Sequence, residues 1–536
     1  MVGAYLSRGQ VALPPVPSTA PAVPILEVLV IASVPSATIL GARGYTVDVE
    51  VHVGKGLPSF LMLGLPDESC REARDRVRAA VLTSGFSWPD KKITVNLAPP
   101  LHRKTGSGLD VAIAIGVLIA CDLLPADTIK GLAFAGELGL DGSIRHVPGV
   151  APMVGVRPDY DWVVPAGSVA EARVAARGLV RPVNKLNELV DALSGVGSWP
   201  DIDERRVAAV EQEIPDLADV KGQPHARRAL EVAAAGGHHL LLVGPPGSGK
   251  SMLARRLPGL LPELEYDVAL QTTMIHSAAG VALPPGGLVR KAPFRSPHHT
   301  SSVGSLVGGG SHALRPGEAS LAHGGVLFLD EMGQFHAHVL DGLREILENG
   351  QIMVGRVDHD RVPMPAQFQL VGATNPCPCG GGGAPGACEC DERSRTRYIG
   401  RLSGPLLDRF DLRVAVNRPA VSELFDATPG ESSADVAVRV AAARQVAIAR
   451  SGTLNAALDG PDLDAYAALT QSASAMLMAE MERGRLTARG YHRIRRVART
   501  LADLADDRDE QVGEEHVAIA LGMRARIGLS AVRNAA

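Results

Sequence analysis

The chain has 536 residues, room for about three or four domains of ordinary size, and 46% of them are hydrophobic, so each domain can bury a core. Aromatic residues make up only 4%, which leaves those cores to Val, Leu, Ile and Ala, and a net charge of -4 excludes a bulk nucleic-acid binder. Any nucleic-acid contact has to come from a local basic surface, such as the pore of a ring.

Residues 1–38 read as a leader. Arg8 precedes a Pro-rich stretch, 13–24, and Glu27 breaks the apolar segment 25–34. That pattern favours a disordered leader on a cytoplasmic protein over a secretory signal. Residues 39–193 form the first folded part. Strict alternation over 45–53 predicts a strand, 67–84 a charged helix stopped by Gly85, and 93–97 a second strand. The longest apolar run, 111–121, lies between Asp110 and Asp122; it is too short for a bilayer and predicts a buried helix. Residues 194–215, rich in Gly, Asp, Glu and Arg, read as a linker. A second part spans 216–419. The third, 433–529, is Ala-rich with helical periodicity.

The second part carries the strongest signal. The apolar run 240–243 leads into Gly244, Pro245, Pro246, Gly247, Ser248, Gly249, Lys250 and Ser251. A strand running into a glycine-rich turn that opens a helix is the setting of a phosphate-binding loop. Backbone N–H groups would wrap the phosphates, Lys250 would reach the β- and γ-phosphates of ATP, and Ser251 would hold Mg2+. A chance match in a chain of this length has odds of about 0.02 from average residue usage.

Further along, residues 326–329 read as a strand ending in Asp330 and Glu331. Asp330 would hold Mg2+, directly or through water, and Glu331 would polarise the attacking water. The alternative is a buried strand with a solvated acidic end. A third strand, 369–374, ends at Asn375, in the position of a sensor that orients that water; a turn residue before Pro376 is the alternative. Arg409 lies between Leu407 and Phe410 at an expected helix end and subunit boundary. It is the candidate arginine finger, with Arg401 in reserve; a surface salt bridge is the other reading. Thr487 is an expected N-cap, and Arg489 behind it is a candidate second sensor that couples the lid to nucleotide. Parts of this kind in this order describe an AAA+ ATPase. A finger supplied in trans requires a ring, most often a homo-hexamer.

Four of the six cysteines, Cys377, Cys379, Cys388 and Cys390, crowd one short Gly-rich segment. Four thiolates there could enclose one structural Zn2+, although C-x-C is tighter than the usual spacing, and free thiols or a redox-labile pair remain the alternatives. Cys70 and Cys121 are isolated, so this is not a secreted disulfide framework.

Several segments together, namely 293–300 (PFRSPHHT), 306–310 (LVGGG), 315–318 (RPGE), 320–323 (SLAH), 375–380 (NPCPCG), 403–409 (SGPLLDR) and 491–494 (YHRI), resemble the magnesium-chelatase-like AAA+ proteins of the YifB/ComM type. The resemblance runs from about residue 40 to residue 526. It implies an α/β protein: a P-loop AAA+ core, a Lon-protease-like α+β N-terminal domain and a helical C-terminal lid. It also implies a hexameric ATPase acting on single-stranded or branched DNA, since ComM-type proteins are branch-migration helicases that help integrate incoming strands during natural transformation. Two insertions, 288–310 and the hairpin 352–363, would face the pore. Lys291, Arg295 and Arg356 are then the expected phosphate contacts, with His298 and His299 as further contributors; structural or subunit-contact roles are the alternative. Phe294 is the one interleaved aromatic, so base stacking is not indicated.

In the Lon-like part, residues 103–110 match the nucleophile loop. Gly108 stands at the nucleophile position and Ala151 at that of the lysine, so peptide cleavage is not expected, although Ser107 is only one residue away. Two other readings of the whole chain remain. One is a chelatase-type motor subunit that remodels a protein partner; the other is a non-enzymatic scaffold ring.

Overall fold

The computed structural model describes residues 31–201, 213–310, 314–355, 361–381, 388–419, 430–507 and 509–525. In the first part, the strands Ile31–Leu40, Arg43–Gly54, Lys92–Ala98 and Ser59–Leu63 form one sheet in that spatial order. Val47, Val49 and Val51 are wholly buried, as the period-two alternation requires. Residues 31–38, expected to belong to the leader, are instead strand and pair with 45–52 in this sheet. Pro35 disguised that strand, yet it is tolerated because Ile31–Leu40 is an edge strand. The buried Ser36 hydroxyl donates to the Phe134 carbonyl at 2.7 Å. Residues 1–30 lie outside the described residues.

The helix Glu68–Thr83 is capped by Asp67, which accepts from the Cys70 N–H at 2.8 Å, and Gly85 beyond its end has φ 88°. The apolar run becomes the helix Asp110–Ala120, with Asp110 through Ile119 buried against the sheet. Its first residue is a buried carboxylate, held by two bonds from Arg76 at 2.7 and 3.1 Å. A second, parallel sheet of Leu132–Phe134, Asp161–Pro165 and Val180–Val183 completes the part.

At the loop matching the Lon nucleophile segment, the Ser107 hydroxyl donates to Glu137, and the Lys104 ammonium is taken by the Pro99 carbonyl. Gly108 lies against Met153, whose Cε would stand 3.2 Å from a Cβ added at 108. Ala151 is wholly buried, and its N–H donates to the Ser277 hydroxyl of the second part at 3.3 Å. No hydroxyl–amine pair forms from these residues.

Ser277 ends a seam between the two parts. Its hydroxyl also donates to the buried Glu171 carboxylate at 2.7 Å, and the Gly149 N–H donates to the Ser277 carbonyl at 2.9 Å. Burial pushes the Glu171 carboxyl up to about 7, against hydrogen bonds from the Ser277 and Ser168 hydroxyls and the Ala151 N–H. His146 Nδ1 stands 3.5 Å from the other carboxylate oxygen. The folded-state value lies above the ordinary one, so the stability tied to the neutral acid is complete below the unfolded value and is lost as pH rises through about 7. Glu171→Gln is therefore expected to gain melting temperature relative to the parent between about pH 5.5 and pH 8. Thermal melts across that range check it; a difference that does not change with pH would refute it.

The second part is built on a parallel sheet in the order Phe294–Arg295, Val326–Leu329, Gln369–Thr374, Leu240–Val243, Leu412–Ala415. Its central strands are buried on both faces, which explains their unbroken apolar runs. The third part contributes the helices Ser433–Ser451, Gly460–Tyr466, Gln471–Glu482, Ala488–Leu504 and Glu514–Gly522. Val436, Val440, Ile494, Val497 and Leu501 share one core with Leu240, Leu242 and Val371, so the lid is packed onto the ATPase sheet. Asp411, at the base of the last strand, accepts from buried His238 at 3.0 Å and pairs with lid residue Arg493 at 3.3 Å.

Candidate nucleotide site

Ligands in open parallel sheets bind beyond the carboxyl ends of the strands. Here three neighbouring strands deliver their functional residues to that edge. Leu240–Val243 runs into the glycine-rich turn, Val326–Leu329 into Asp330 and Glu331, and Gln369–Thr374 into Asn375. Register holds them level, with Val243 opposite Thr374 and Leu329 opposite Gly372.

The turn has the backbone its sequence demands. Gly249 has φ 87°, in the left-handed region, and the helix opens at Lys250. A Cβ at Gly244 would stand 2.0 Å from the Val416 carbonyl oxygen, so only glycine fits there. Lys250 is buried, and its ammonium donates to the Gly244 and Pro245 carbonyls at 2.8 and 2.9 Å and to Asn375 Oδ1 at 3.0 Å. Burial holds it below the usual lysine range, opposed by the nearby Asp330 and Glu331. One cation thus ties the first strand's turn to the third strand's terminal Asn.

The Ser251 hydroxyl donates to Asp330 Oδ2 at 2.7 Å, which brings together the two side chains suited to one Mg2+. Glu331 adopts φ 48°, an uncommon conformation for a residue with a Cβ, and its side chain is 55% exposed. Successive carboxylates therefore diverge: Asp330 turns to the phosphate loop and Glu331 turns to solvent. His299 Nδ1 lies 3.8 Å from Glu331 Oε2, and its ring packs on His298. That approach was not legible in the sequence, which offered DNA contact, or a structural or subunit-contact role, for the two histidines. Two further residues were missed. Gln223 Nε2 donates to the Ser248 carbonyl at 2.6 Å, and Arg418 donates to the Pro246 carbonyl at 3.2 Å.

The candidate finger Arg409 is paired with Glu348 within its own chain, not with the phosphate loop. The reserve, Arg401, donates to the Gly333 carbonyl at 3.1 Å, two residues beyond Glu331. Thr487 caps its helix as expected, accepting from the Gly490 N–H at 3.1 Å. Arg489 behind it is exposed and stands 3.8 Å from Asp408, the neighbour of Arg409. Of the basic residues expected at DNA, Arg295 is held by two bonds to Glu318 at 2.7 and 2.8 Å, so a phosphate would have to displace that carboxylate. Lys291 is exposed and, with Arg295, lines a cavity of about 960 Å³ that also holds Glu213 and Glu263. Arg356 lies outside the described residues.

The Sγ atoms of Cys377, Cys379, Cys388 and Cys390 all lie within 4.8 Å of one another. The separations among the first three are 3.4, 3.7 and 3.6 Å. Tetrahedral zinc with Zn–S bonds of about 2.3 Å needs S–S edges of about 3.8 Å, so the donor set fits. The Gly381 N–H points at Cys379 Sγ at 3.4 Å, the kind of outer bond that favours a thiolate.

Residues 216–424 match the family described as magnesium chelatase, subunit ChlI; residues 49–163 match subunit ChlI of Mg-chelatase; and residues 430–524 match the ChlI C-terminal family. An uncharacterised protein of Mycobacterium tuberculosis is 44% identical over 499 residues, 91% of this chain and 97% of its own. Competence protein ComM of Haemophilus influenzae is 39% identical over 512 residues, covering 93% and 98%, and YifB of Escherichia coli is 40% identical over 504, covering 91% and 95%. Lon protease 2 of Bacillus subtilis shows a shorter likeness, 28% over 185 residues. With a complete phosphate-loop, carboxylate and Asn edge and this coverage, the chain belongs to the magnesium-chelatase-like AAA+ ATPases of the YifB/ComM type.

Proposed function

We propose that the protein is a cytoplasmic, ATP-driven hexameric motor that moves on single-stranded or branched DNA, acting as a branch-migration helicase in recombination or natural transformation. The reading rests above all on the separation of Arg409 from the nucleotide edge of its own chain. Lys250, Ser251, Asp330, Glu331 and Asn375 converge, while the expected finger sits on Glu348. An ATPase site that is complete except for its finger calls for a neighbouring copy, and a closed ring places each finger at the next site. The likeness to a competence protein along nearly the whole chain directs that ring towards DNA. Among the described residues no helix is long and apolar enough to cross a membrane.

In this reading Lys250 and the turn hold the phosphates, Ser251 and Asp330 hold Mg2+, and Glu331 accepts a proton from the attacking water that Asn375 orients. Arg489 reports lid position. Lys291, Arg295 and Arg356 meet DNA phosphates, Arg295 after leaving Glu318. The four cysteines hold one structural Zn2+. ATP-dependent branch migration on a three- or four-stranded junction tests the proposal against Lys250→Ala. The parent is expected to migrate the junction and the variant to lose at least about 100-fold in ATP turnover and all migration. An assembled parent that hydrolyses ATP without moving DNA would refute it. The chelatase-type motor acting on a protein partner would then take its place, and failure of DNA to stimulate ATP turnover marks that alternative.

A further inference from the structure

The cysteine cluster is not an isolated appendage; both of its ends enter the nucleotide site. Cys377 follows Asn375 by two residues and is wholly buried. Gly380, with φ 86°, lies against the phosphate loop so closely that an added Cβ would stand 2.2 Å from Pro246 Cδ. On the far side, Asp391 follows Cys390 directly and caps the helix Glu392–Gly400, accepting from the Ser394 N–H at 2.8 Å. That helix presents buried Tyr398, whose hydroxyl is 3.3 Å from Thr374 Oγ1. The Tyr398 ring also fills the space beside Gly333, where an added Cβ would stand 2.4 Å from Cζ. The segment thus touches the phosphate loop at Pro246, the sensor strand at Thr374 and the turn behind Glu331 at Gly333.

We propose that zinc bound by Cys377, Cys379, Cys388 and Cys390 clamps this segment, so that the metal sets the geometry of the nucleotide site without touching nucleotide. This rests on the zinc reading above and adds to it a control over ATP binding. One ion closes the chain between Asn375 and the helix Glu392–Gly400, replacing loop freedom with four fixed ligands. With the clamp closed, Gly380 walls Pro246 and Asn375 is held where Lys250 reaches it. With the clamp open, neither restraint has the metal behind it. The cysteines are positioning residues in this scheme, and Zn2+ takes no part in hydrolysis.

The test uses the full chain, with zinc content measured by elemental analysis and affinity by a fluorescent ADP analogue. The parent should carry one zinc per chain. Cys388→Ser or zinc removal with a chelator should weaken nucleotide binding by about 10-fold or more, with restoration on adding Zn2+ to the chelated protein. Gly380→Ala provides the second variant: it keeps all four thiols, and it meets both Pro246 and the left-handed φ of 86° at that position, so its zinc content is measured beside its affinity. It should retain its zinc and its circular dichroism spectrum yet bind nucleotide at least about 10-fold more weakly. Zinc-loaded parent and zinc-free protein of equal affinity would overturn the coupling while leaving the zinc site standing. Absence of zinc from the folded parent would overturn both.

Discussion

Glu331→Gln is expected to keep ATP bound and to lower its turnover by about 10²–10⁴-fold, the usual worth of a positioned general base. The strand Val326–Leu329 is buried throughout, so its end is fixed, and the left-handed φ of 48° at Glu331 rotates that side chain away from its neighbour. Asp330 is engaged with Ser251 and is untouched by the substitution, so the proposed Mg2+ ligands stay in place. Glutamine keeps the volume and the hydrogen-bonding reach of the side chain and removes only the basicity. Loss should therefore appear in the chemical step and not in binding. Single-turnover hydrolysis beside an affinity measurement separates the two. A variant that binds ATP poorly, or turns over within about threefold of the parent, would remove Glu331 from the role of base.

The other large effect belongs to Arg409. Arg409→Ala should lower turnover by about 10³–10⁵-fold, the range for an arginine finger. Its distinguishing test is complementation. An Arg409→Ala protomer still has Lys250, and a Lys250→Ala protomer still has Arg409. When the two inactive proteins are mixed in equal amounts, roughly a quarter of the interfaces in a random ring combine an intact phosphate loop with an intact finger. Activity should reappear on mixing. If it does not, and each variant assembles with the parent, Arg409 acts within its own chain. Glu348→Ala supplies a companion, since it removes the carboxylate that holds Arg409 in the isolated chain.

What could be read from the sequence was what depends on neighbours along the chain. The phosphate loop, Asp330 with Glu331, and Asn375 each follow an apolar strand directly, so a local pattern located all three. The same holds for the cap at Thr487 and the four clustered thiols. What stayed hidden was set by distant partners. Glu318 claims Arg295 from 23 positions away, and His299 approaches Glu331 across 32 residues. Gln223 and Arg418 brace the loop through its carbonyls, and nothing in their own surroundings marks them. Residues 31–38 of the edge strand Ile31–Leu40 read as leader because they continue the Pro-rich stretch and the apolar segment broken by Glu27. Only the paired strand Arg43–Gly54 and the Phe134 carbonyl that receives Ser36 explain it.

The Lon-like part carries a consequence for any attempt to place a Ser–Lys pair in it. Met153 occupies the surroundings of Gly108, and Ala151 is buried with its N–H given to Ser277 of the ATPase part. A serine at 108 would have to push Met153 aside, and a lysine at 151 would begin from a wholly buried position beside the seam. Each substitution thus meets a structural obstacle before any such chemistry could begin. Ala151 is thus engaged at the seam itself, as a backbone donor to the ATPase part, and the position that resembles the Lon lysine is occupied by the joint between the two parts.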